Sequence, residues 1–300
     1  MVLVQKLRRS EAGGFQAGGH QGAGEPDTPA DLECSGEIAA IKPIDTTCGV
    51  LSNIPMSTIS AYRRDGRSPD ALRPFSVSWN PMGFALSSLI VHTGRTSVLC
   101  SVCLDEGVPR WRKGQGLGWI SAEYRLLPGS TPERQQRELM KLSGRTQEIQ
   151  RLIGRSLRAV VDMEALGERT LLIDCDVIQA DAGTRTAAIT GAWLALRQAA
   201  DKLLEQGLLE RDPLRSQVAA VSVGLVGGTP HLDLDYSEDS RADVDLNVVM
   251  ASDGQLLEIQ GTAEGAPFSR AQLNQLLDLA EPGLNDLMSA QAEALASPKG

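Results

Sequence analysis

The segment 170–207 constrains the fold of this chain more than any other. Residues 170–179 carry apolar side chains on both faces, a pattern typical of a central strand that is covered from two sides. A short turn follows, and residues 184–206 are rich in Ala and Leu, which predicts a long helix with Gly207 just beyond its end. A covered strand joined directly to an apolar helix requires layers of helix and sheet around a common core.

Strand-like and helix-like runs alternate from residue 61 onward. Period-two patterns and turn signals predict further strands over 75–79, 88–92, 97–104, 119–127, 217–225, 231–236, 244–250 and 255–261. Helices are predicted over 132–160, with an interruption near 143–144, and from Ser269 to about residue 294, with a break near 282–283. Because the strands occur in runs rather than in strict βαβ repeats, the elements predict an α+β fold in a single domain over 61–300.

Residues 1–60 differ from the rest of the chain. They contain eight glycines and two cysteines and show little hydrophobic periodicity, so we expect a disordered extension, with Met56 as an alternative start of the chain. The five cysteines are odd in number, and a chain of 300 residues needs no disulfides to fold, so a cytoplasmic location is expected. No apolar run reaches the roughly 18 residues that a membrane span needs.

The charges are segregated along the chain. The formal net charge of −9 argues against a general nucleic-acid coat protein, yet residues 110–158 contain eleven basic and four acidic side chains. On a helix, Arg137, Lys141 and Arg145 would recur every four positions and share one face, which would attract phosphate groups. A solvated helix paired with the chain's many acids explains the same pattern, and the residues alone do not separate the two interpretations.

The opposite charge is concentrated over 231–245, which we call the acidic block. It holds six acids and one arginine, and such carboxylates repel one another unless a cation compensates them. Asp243 and Asp245 are predicted to share one face of a strand, and Asp239, in the preceding loop, could turn back toward Asp245. The pattern favours Mg²⁺ or Mn²⁺ at a phosphoryl-transfer site, with an ordinary acidic loop as the alternative. Only three histidines are present, so a three-histidine zinc site is not expected.

The turn Gly183-Thr184-Arg185 joins the central strand to the long helix. Unpaired backbone N–H groups at a helix start favour an anion, glycine permits a close approach, and arginine offers a forked donor for phosphate. The turn fits neither a Walker A loop nor a Rossmann GxGxxG pattern, which weakens nucleotide-hydrolase and dinucleotide interpretations. A plain helix cap with an exposed arginine remains the alternative.

Together these residues resemble the bacterial ribonuclease PH family over about residues 63–280. The matching blocks occur in the same order along the chain and include Arg64-Asp-Gly-Arg67, Lys113-Gly-Gln-Gly116, Ser143-Gly-Arg-Thr146, Gly183-Thr-Arg-Thr186 and Leu232-Asp-Leu-Asp-Tyr236. Two departures stand out. The family usually has Gly-Gly where this chain has Ala182-Gly183, a small change that is expected to spare the turn. It usually has an arginine where this chain has Gly129, at the rim expected to guide RNA.

The resemblance implies a phosphate-dependent 3′-to-5′ exoribonuclease of the nucleotidyltransferase class, which trims the 3′ ends of tRNA precursors and releases nucleoside diphosphates. It implies that inorganic phosphate is held by Arg145, Gly183, Thr184 and Arg185. It also implies that Asp239 and Asp245 are the catalytic pair and that they hold a divalent cation, with Mg²⁺ expected. Arg134, Arg137 and Lys141 are candidates for binding RNA. The implied fold is ribosomal protein S5 domain 2-like, and the implied assembly is a homo-hexameric ring, a trimer of dimers.

Two other functions compete with phosphorolysis as explanations of the sequence. A catalytically silent RNA-binding ring subunit of exosome type would be expected to lack one of the arginines or aspartates, and all of them are present here. A divalent-metal nuclease that uses water as the nucleophile would not need the paired phosphate-site arginines. The presence of both sets of residues favours phosphorolysis, in which phosphate is the nucleophile.

Overall fold

The computed structural model describes residues 63–139 and 141–297 of the chain. These residues belong to one compact unit that spans residues 54–300. The predicted disordered extension over 1–60 and the alternative start at Met56 lie outside the described residues, and the limits of the predicted domain over 61–300 stay a prediction. Within the described part of the chain, no helix has the length and apolar character needed to cross a bilayer.

The first sheet has five strands. They are β1 (Phe75–Trp79), β2 (Ser87–Thr93), β3 (Thr96–Asp105), β4 (Trp119–Leu126) and β5 (Thr170–Gln179). Their order is β1-β2-β3-β5-β4, and β4 runs parallel to β5 whereas the other neighbours are antiparallel. Since β5 lies between β3 and β4, it is central in the sheet as its sequence predicts. The expected cover on both faces is wrong, because alternate side chains are buried while Leu172 and Ile178 on the other face are exposed.

Three helices follow β4 in the chain, two before β5 and one between β5 and the second sheet. They are α1 (Gly144–Ala159), α2 (Met163–Leu166) and α3 (Thr184–Glu205). The long helix α3 packs on β2 and β3 from the first sheet and on a strand of the second sheet, so it is buried almost all round. Gly191 allows this approach, because a Cβ there would lie 2.6 Å from the Val91 side chain.

The second sheet has four antiparallel strands and one covering helix. The strands are β6 (Val218–Val226), β7 (Thr229–Leu232), β8 (Val244–Ala251) and β9 (Leu256–Ala263), in the order β7-β6-β8-β9, with the single-turn helix α4 (Tyr236–Asp239) between β7 and β8. Helix α5 (Arg270–Ala296) packs on β6 and closes a second apolar cluster. The predicted α+β class is therefore confirmed.

Three predicted elements are wrong in part. Residues 132–139 and 141–143 are not helical, because this mainly polar segment offers little apolar surface to bury, and the side chain of Leu139 is exposed. Helix α5 continues through Pro282, since buried residues on both sides of the proline hold the helix against the sheet. The predicted strand over 231–236 ends at Leu232, because Asp233 adopts a left-handed conformation (φ 51°) that turns the chain into α4.

Candidate active site

The turn between β5 and α3 is shaped to receive an anion. Ala182 and Gly183 both adopt left-handed conformations, with φ of 57° and 62°. No side chain caps the start of α3, so its first backbone N–H groups are left for a ligand. Arg73 supports the turn by donating a hydrogen bond to the Asp181 carbonyl oxygen (2.6 Å), and a Cβ at Gly183 would lie 2.6 Å from Arg73 Nη2. Glycine is therefore required at residue 183.

The buried side chain of Tyr124, on β4, reaches the same turn. Its hydroxyl lies 2.8 Å from Thr184 Oγ1. Burial raises the pKa of Tyr124, while the hydrogen bond with Thr184 and the charges of Arg145 and Arg185 act in the opposite direction. The charges of two arginines, one from the first turn of α1 and one from the first turn of α3, therefore act on the Tyr124 hydroxyl that contacts Thr184.

Arg145 and Arg185 differ in their surroundings. Arg145 is exposed at the start of α1, where the side chain of Ser143 caps the helix by accepting a hydrogen bond from the Thr146 N–H. Arg185 is half-buried, and its Nη1 donates to Gln260 Oε1 on β9 (2.6 Å). Both guanidinium groups are forked donors, which suits them to share the oxygens of one phosphate.

Asp239 and Asp245 face the same arginines from the second sheet. Asp239 is the last residue of α4, and Asp245 is the second residue of β8. Burial and the charge of Asp239 raise the pKa of Asp245 to about 6, against the influence of Arg185, Asn247 and Arg145. Burial likewise raises the pKa of Asp239, while both arginines lower it. The four predicted site residues are therefore brought together, although Asp239 lies on a helical turn and not in a loop.

One observation bears on the predicted divalent cation. Asp245 Oδ1 is buried and has no hydrogen-bond partner in the described part of the chain, as would suit an atom that binds a cation. Residues 63–139 and 141–297 contain no cluster of three His, Cys, Asp or Glu side chains that could form a complete protein site. Mg²⁺ commonly takes one or two carboxylates and completes its shell with water and substrate phosphates, so Asp239 and Asp245 fit it as two ligands.

Two other acids of the acidic block, Glu238 and Asp233, are structural. Glu238 is buried against Arg63, whose Nε donates to Glu238 Oε1 (2.6 Å). Asp233 is buried against Arg73, with 2.7 Å between Asp233 Oδ1 and Arg73 Nη2. The sequence analysis gave these four residues no role. The available signal was the group of arginines over 63–73, because a block with so many carboxylates needs nearby cations.

The three candidate RNA-binding residues lie on exposed, irregular backbone. Arg134, Arg137 and Lys141 belong to the segment that precedes α1, so the prediction that Arg137, Lys141 and Arg145 share one helix face is wrong. Arg137 instead approaches Asp176 on β5, since its charge opposes the rise that burial causes in the pKa of Asp176. All three side chains remain accessible to a polyanion.

Two family models and several curated relatives match most of this chain. The model of the 3′ exoribonuclease family, domain 1, matches residues 71–200, and the model of domain 2 of the same family matches residues 216–283. The chain is 80% identical over 239 residues to ribonuclease PH of Synechococcus sp. (strain CC9605), which covers 80% of this chain and 97% of that protein. It is 60% identical over 233 residues to ribonuclease PH of Synechococcus elongatus, covering 78% and 98%.

A solved structure of lower identity shows the same fold. The Archaeoglobus fulgidus exosome with RNA bound to the active site matches with a TM-score of 0.67 at 22% identity, over 76% of this chain and 92% of that chain. The fold and the matched domains define an exoribonuclease that works from RNA 3′ ends. The chain belongs to the ribonuclease PH family. The predicted enzyme class, a phosphate-dependent 3′-to-5′ exoribonuclease, is thereby confirmed, and the silent exosome-type subunit is not favoured.

Proposed function

We propose that this chain trims the 3′ ends of tRNA precursors at the site formed by Arg145, Arg185, Asp239 and Asp245. The observation that carries the proposal is the convergence of two arginines and two carboxylates on the uncapped start of α3. Cationic donors bind an attacking phosphate, whereas carboxylates with raised pKa values suit the region where the bond is broken. No histidine is needed to activate a nucleophile that arrives as phosphate.

Phosphate is held by the two guanidinium groups together with Thr184 Oγ1 and the backbone N–H groups that follow Gly183. These donors come from three separate elements, so they fix the position of the phosphate and orient one of its oxygens for attack. That oxygen forms a bond to the last internucleotide phosphorus, and the bond from phosphorus to the 3′-oxygen breaks. The proton that phosphate gives up balances the proton that the 3′-oxygen gains, and a nucleoside diphosphate is released.

Asp239 and Asp245 are the residues that would hold Mg²⁺. When bound, the ion offsets negative charge on the reacting phosphates. Asp245 contributes its unpaired Oδ1, and the charge of Asp239 adds to the negative potential there, which raises the pKa of Asp245. The charges of Arg145 and Arg185 favour the ionised form of both carboxylates and so oppose the rise in their pKa values.

The approach of RNA and the assembly complete the proposal. Exposed positive charge lies in the segment that leads into α1, on Arg134, Arg137 and Lys141. Replacing all three with Ala should raise the KM for RNA and leave the KM for phosphate unchanged.

The homo-hexameric ring, as a trimer of dimers, and the cytoplasmic location follow from the resemblance to the family. Native mass spectrometry of the purified protein tests the ring, and a monomeric mass would contradict it.

The experiment that tests the reaction compares products with and without phosphate. The protein is incubated with a tRNA precursor and Mg²⁺, and we expect nucleoside diphosphates only when inorganic phosphate is present. Nucleoside monophosphates formed without phosphate would contradict phosphorolysis and indicate a hydrolytic nuclease. Arg185→Ala should remove the phosphate-dependent product while the fold is retained, and Arg151→Ala, an exposed arginine of α1, serves as the control.

A further inference from the structure

A hydrogen-bonded chain of three side chains links α1, β9 and α3 at the edge of the site. Gln260 Nε2 on β9 donates to Glu148 Oε1 on α1 (2.8 Å). Arg185 Nη1 on α3 donates to Gln260 Oε1 (2.6 Å). Glu148 Oε2 lies 3.9 Å from Arg185 Nη1, at the outer limit of an ion pair. Gln260 therefore stands between a carboxylate and the guanidinium that is proposed to bind phosphate.

The chemistry of the three groups fixes the direction of the glutamine amide. An ionised carboxylate only accepts hydrogen bonds, and a guanidinium only donates them. Glu148 must therefore face the amide NH₂, which leaves the amide oxygen for Arg185. In the reverse orientation, the NH₂ group would meet the donors of Arg185 and the amide oxygen would meet a carboxylate. Glu148 thus determines that Gln260 presents an acceptor to Arg185.

The contact restrains Arg185 and leaves most of its donors free. Gln260 occupies Nη1, so other guanidinium N–H groups remain for phosphate. Arginine is a flexible side chain, and holding it in one rotamer before the ligand arrives lowers the entropic cost of binding. A neutral acceptor is suited to this task, because a carboxylate in direct contact with Arg185 would compete with phosphate for the same charge.

We propose that Gln260 is a positioning residue for Arg185 and that Glu148 orients Gln260; this rests on the proposed function, in which Arg185 binds phosphate. Strand β9 places the glutamine where this can happen. Gln260 pairs with Asn247 on β8, two residues beyond Asp245, so one hairpin carries both a proposed catalytic carboxylate and the group that positions the phosphate ligand. The sequence offers no signal for this role, because Gln260 and Arg185 are 75 residues apart.

The test separates phosphate binding from the later steps. Gln260→Leu keeps similar bulk and removes both hydrogen bonds, so the KM for phosphate should rise about tenfold, the effect of one hydrogen bond to a charged group. The kcat at saturating phosphate and the KM for RNA should stay within about twofold of the parent values. Glu148→Gln, which no longer fixes the amide, should give a smaller rise in the same constant.

Two controls separate the effect of the contact between Gln260 and Arg185 from a general disturbance of the region between β9 and α1. Glu258→Gln breaks a different contact between β9 and α1, the ion pair with Arg155, and should leave the KM for phosphate unchanged. In an Arg185→Lys background, Gln260→Leu should have no further effect on that constant, because the partner of Gln260 is already altered.

The opposite results would overturn the inference. An unchanged KM for phosphate in Gln260→Leu, or an equal rise in Glu258→Gln, would remove Gln260 from its role. A fall in kcat together with a lower melting temperature would assign Gln260 a structural role only. If the parent enzyme forms no diphosphates from RNA and phosphate, the proposed function fails first, so the two failures are distinguishable.

Discussion

Two sets of carboxylates share the acidic block and have opposite surroundings. Asp233 and Glu238 are buried and paired with Arg73 and Arg63, and these ion pairs connect the block to the segment 63–73. Asp239 and Asp245 are half-buried, and burial raises both pKa values, while the charge of Asp239 raises that of Asp245 further. One oxygen of Asp245 has no hydrogen-bond partner in the described residues. The paired acids stabilise the fold, and the incompletely paired acids are available for chemistry.

The difference shows that charge density along the sequence does not locate function. The six acids appear in the sequence as one block, and only the structure divides them by partner. A buried carboxylate with a full set of partners contributes to stability, whereas one that lacks partners is costly and is typical of functional sites. Four predictions about Asp245, Glu238 and Asp235 test the division, and they are given in order of decreasing effect.

The largest effect is expected at Asp245. Asp245→Asn removes the negative charge from the unpaired position, and the rate of diphosphate release should fall by about 10³-fold or more. Initial rates with a tRNA precursor at saturating phosphate measure the loss. Asp243→Asn, an exposed acid two residues earlier, is the matched control and should retain the parent rate. A loss below tenfold at Asp245 would place the chemistry elsewhere.

The paired acids should respond in stability. Glu238→Ala leaves the buried guanidinium of Arg63 without its partner, so the free energy of unfolding should fall by about 3–5 kcal/mol. Urea denaturation followed by circular dichroism gives this value. Glu281→Ala, which removes an exposed acid on α5, should change it by less than about 0.5 kcal/mol. Equal effects of the two substitutions would show that burial of the Arg63 pair contributes nothing.

Asp245 should affect stability in the opposite direction to Glu238, because its ionised side chain lowers the free energy of unfolding. Its pKa is about 6 in the folded state and about 3.9 in an unfolded chain, so the folded protein binds more protons between these values. Stability from this group therefore falls as pH rises from about 4 to 6 and stays low above that range. Asp245→Asn should unfold at a free energy on the order of 2 kcal/mol higher than the parent at pH 8.

That gain should disappear at low pH. Below about pH 4 the parent Asp245 is protonated in both states, so the two proteins should differ little. Urea denaturation across pH 4 to 8, in EDTA and without phosphate, follows the difference. A destabilised Asp245→Asn at pH 8 would show that Asp245 is a structural acid like Glu238, and the division of the block would fail.

The sequence predicted the parts of the site that depend on local pattern. The turn at Gly183 and the helix that follows it were predictable, because a central strand, a glycine and an Ala-rich run occur in direct succession. The two aspartates and two arginines were found through motifs that match the family. What the sequence missed depends on tertiary contact. Arg137 was assigned to a helix by its spacing, but a helix over 132–143 would offer little apolar surface to bury.

Long-range pairing explains the remaining misses. Arg63 and Glu238 are 175 residues apart, and Arg73 and Asp233 are 160 apart, so neither pair can be read from local spacing. The departure at Ala182 was expected to spare the turn, and the structure shows that it does so with alanine in a left-handed conformation (φ 57°). Such conformations are usually reserved for glycine, so the turn keeps its shape at some local cost.

The smallest effect is expected at Asp235, which caps α4 and so fixes the helical turn that carries Asp239. Although burial raises the pKa of Asp235, hydrogen bonds from Ser237 and from the Glu238 backbone bring it below the ordinary value. Stability from this group is therefore present above its unfolded pKa of about 3.9 and is lost as pH falls through its folded pKa, opposite in sign to Asp245.

Asp235→Ala should lower the free energy of unfolding by about 1 kcal/mol at pH 7, and Asp235→Asn, which can still cap the helix, should lower it less. Urea denaturation at pH 7 and pH 3 measures both, and a cost for Asp235→Ala that grows as pH falls would assign Asp235 to the incompletely paired acids.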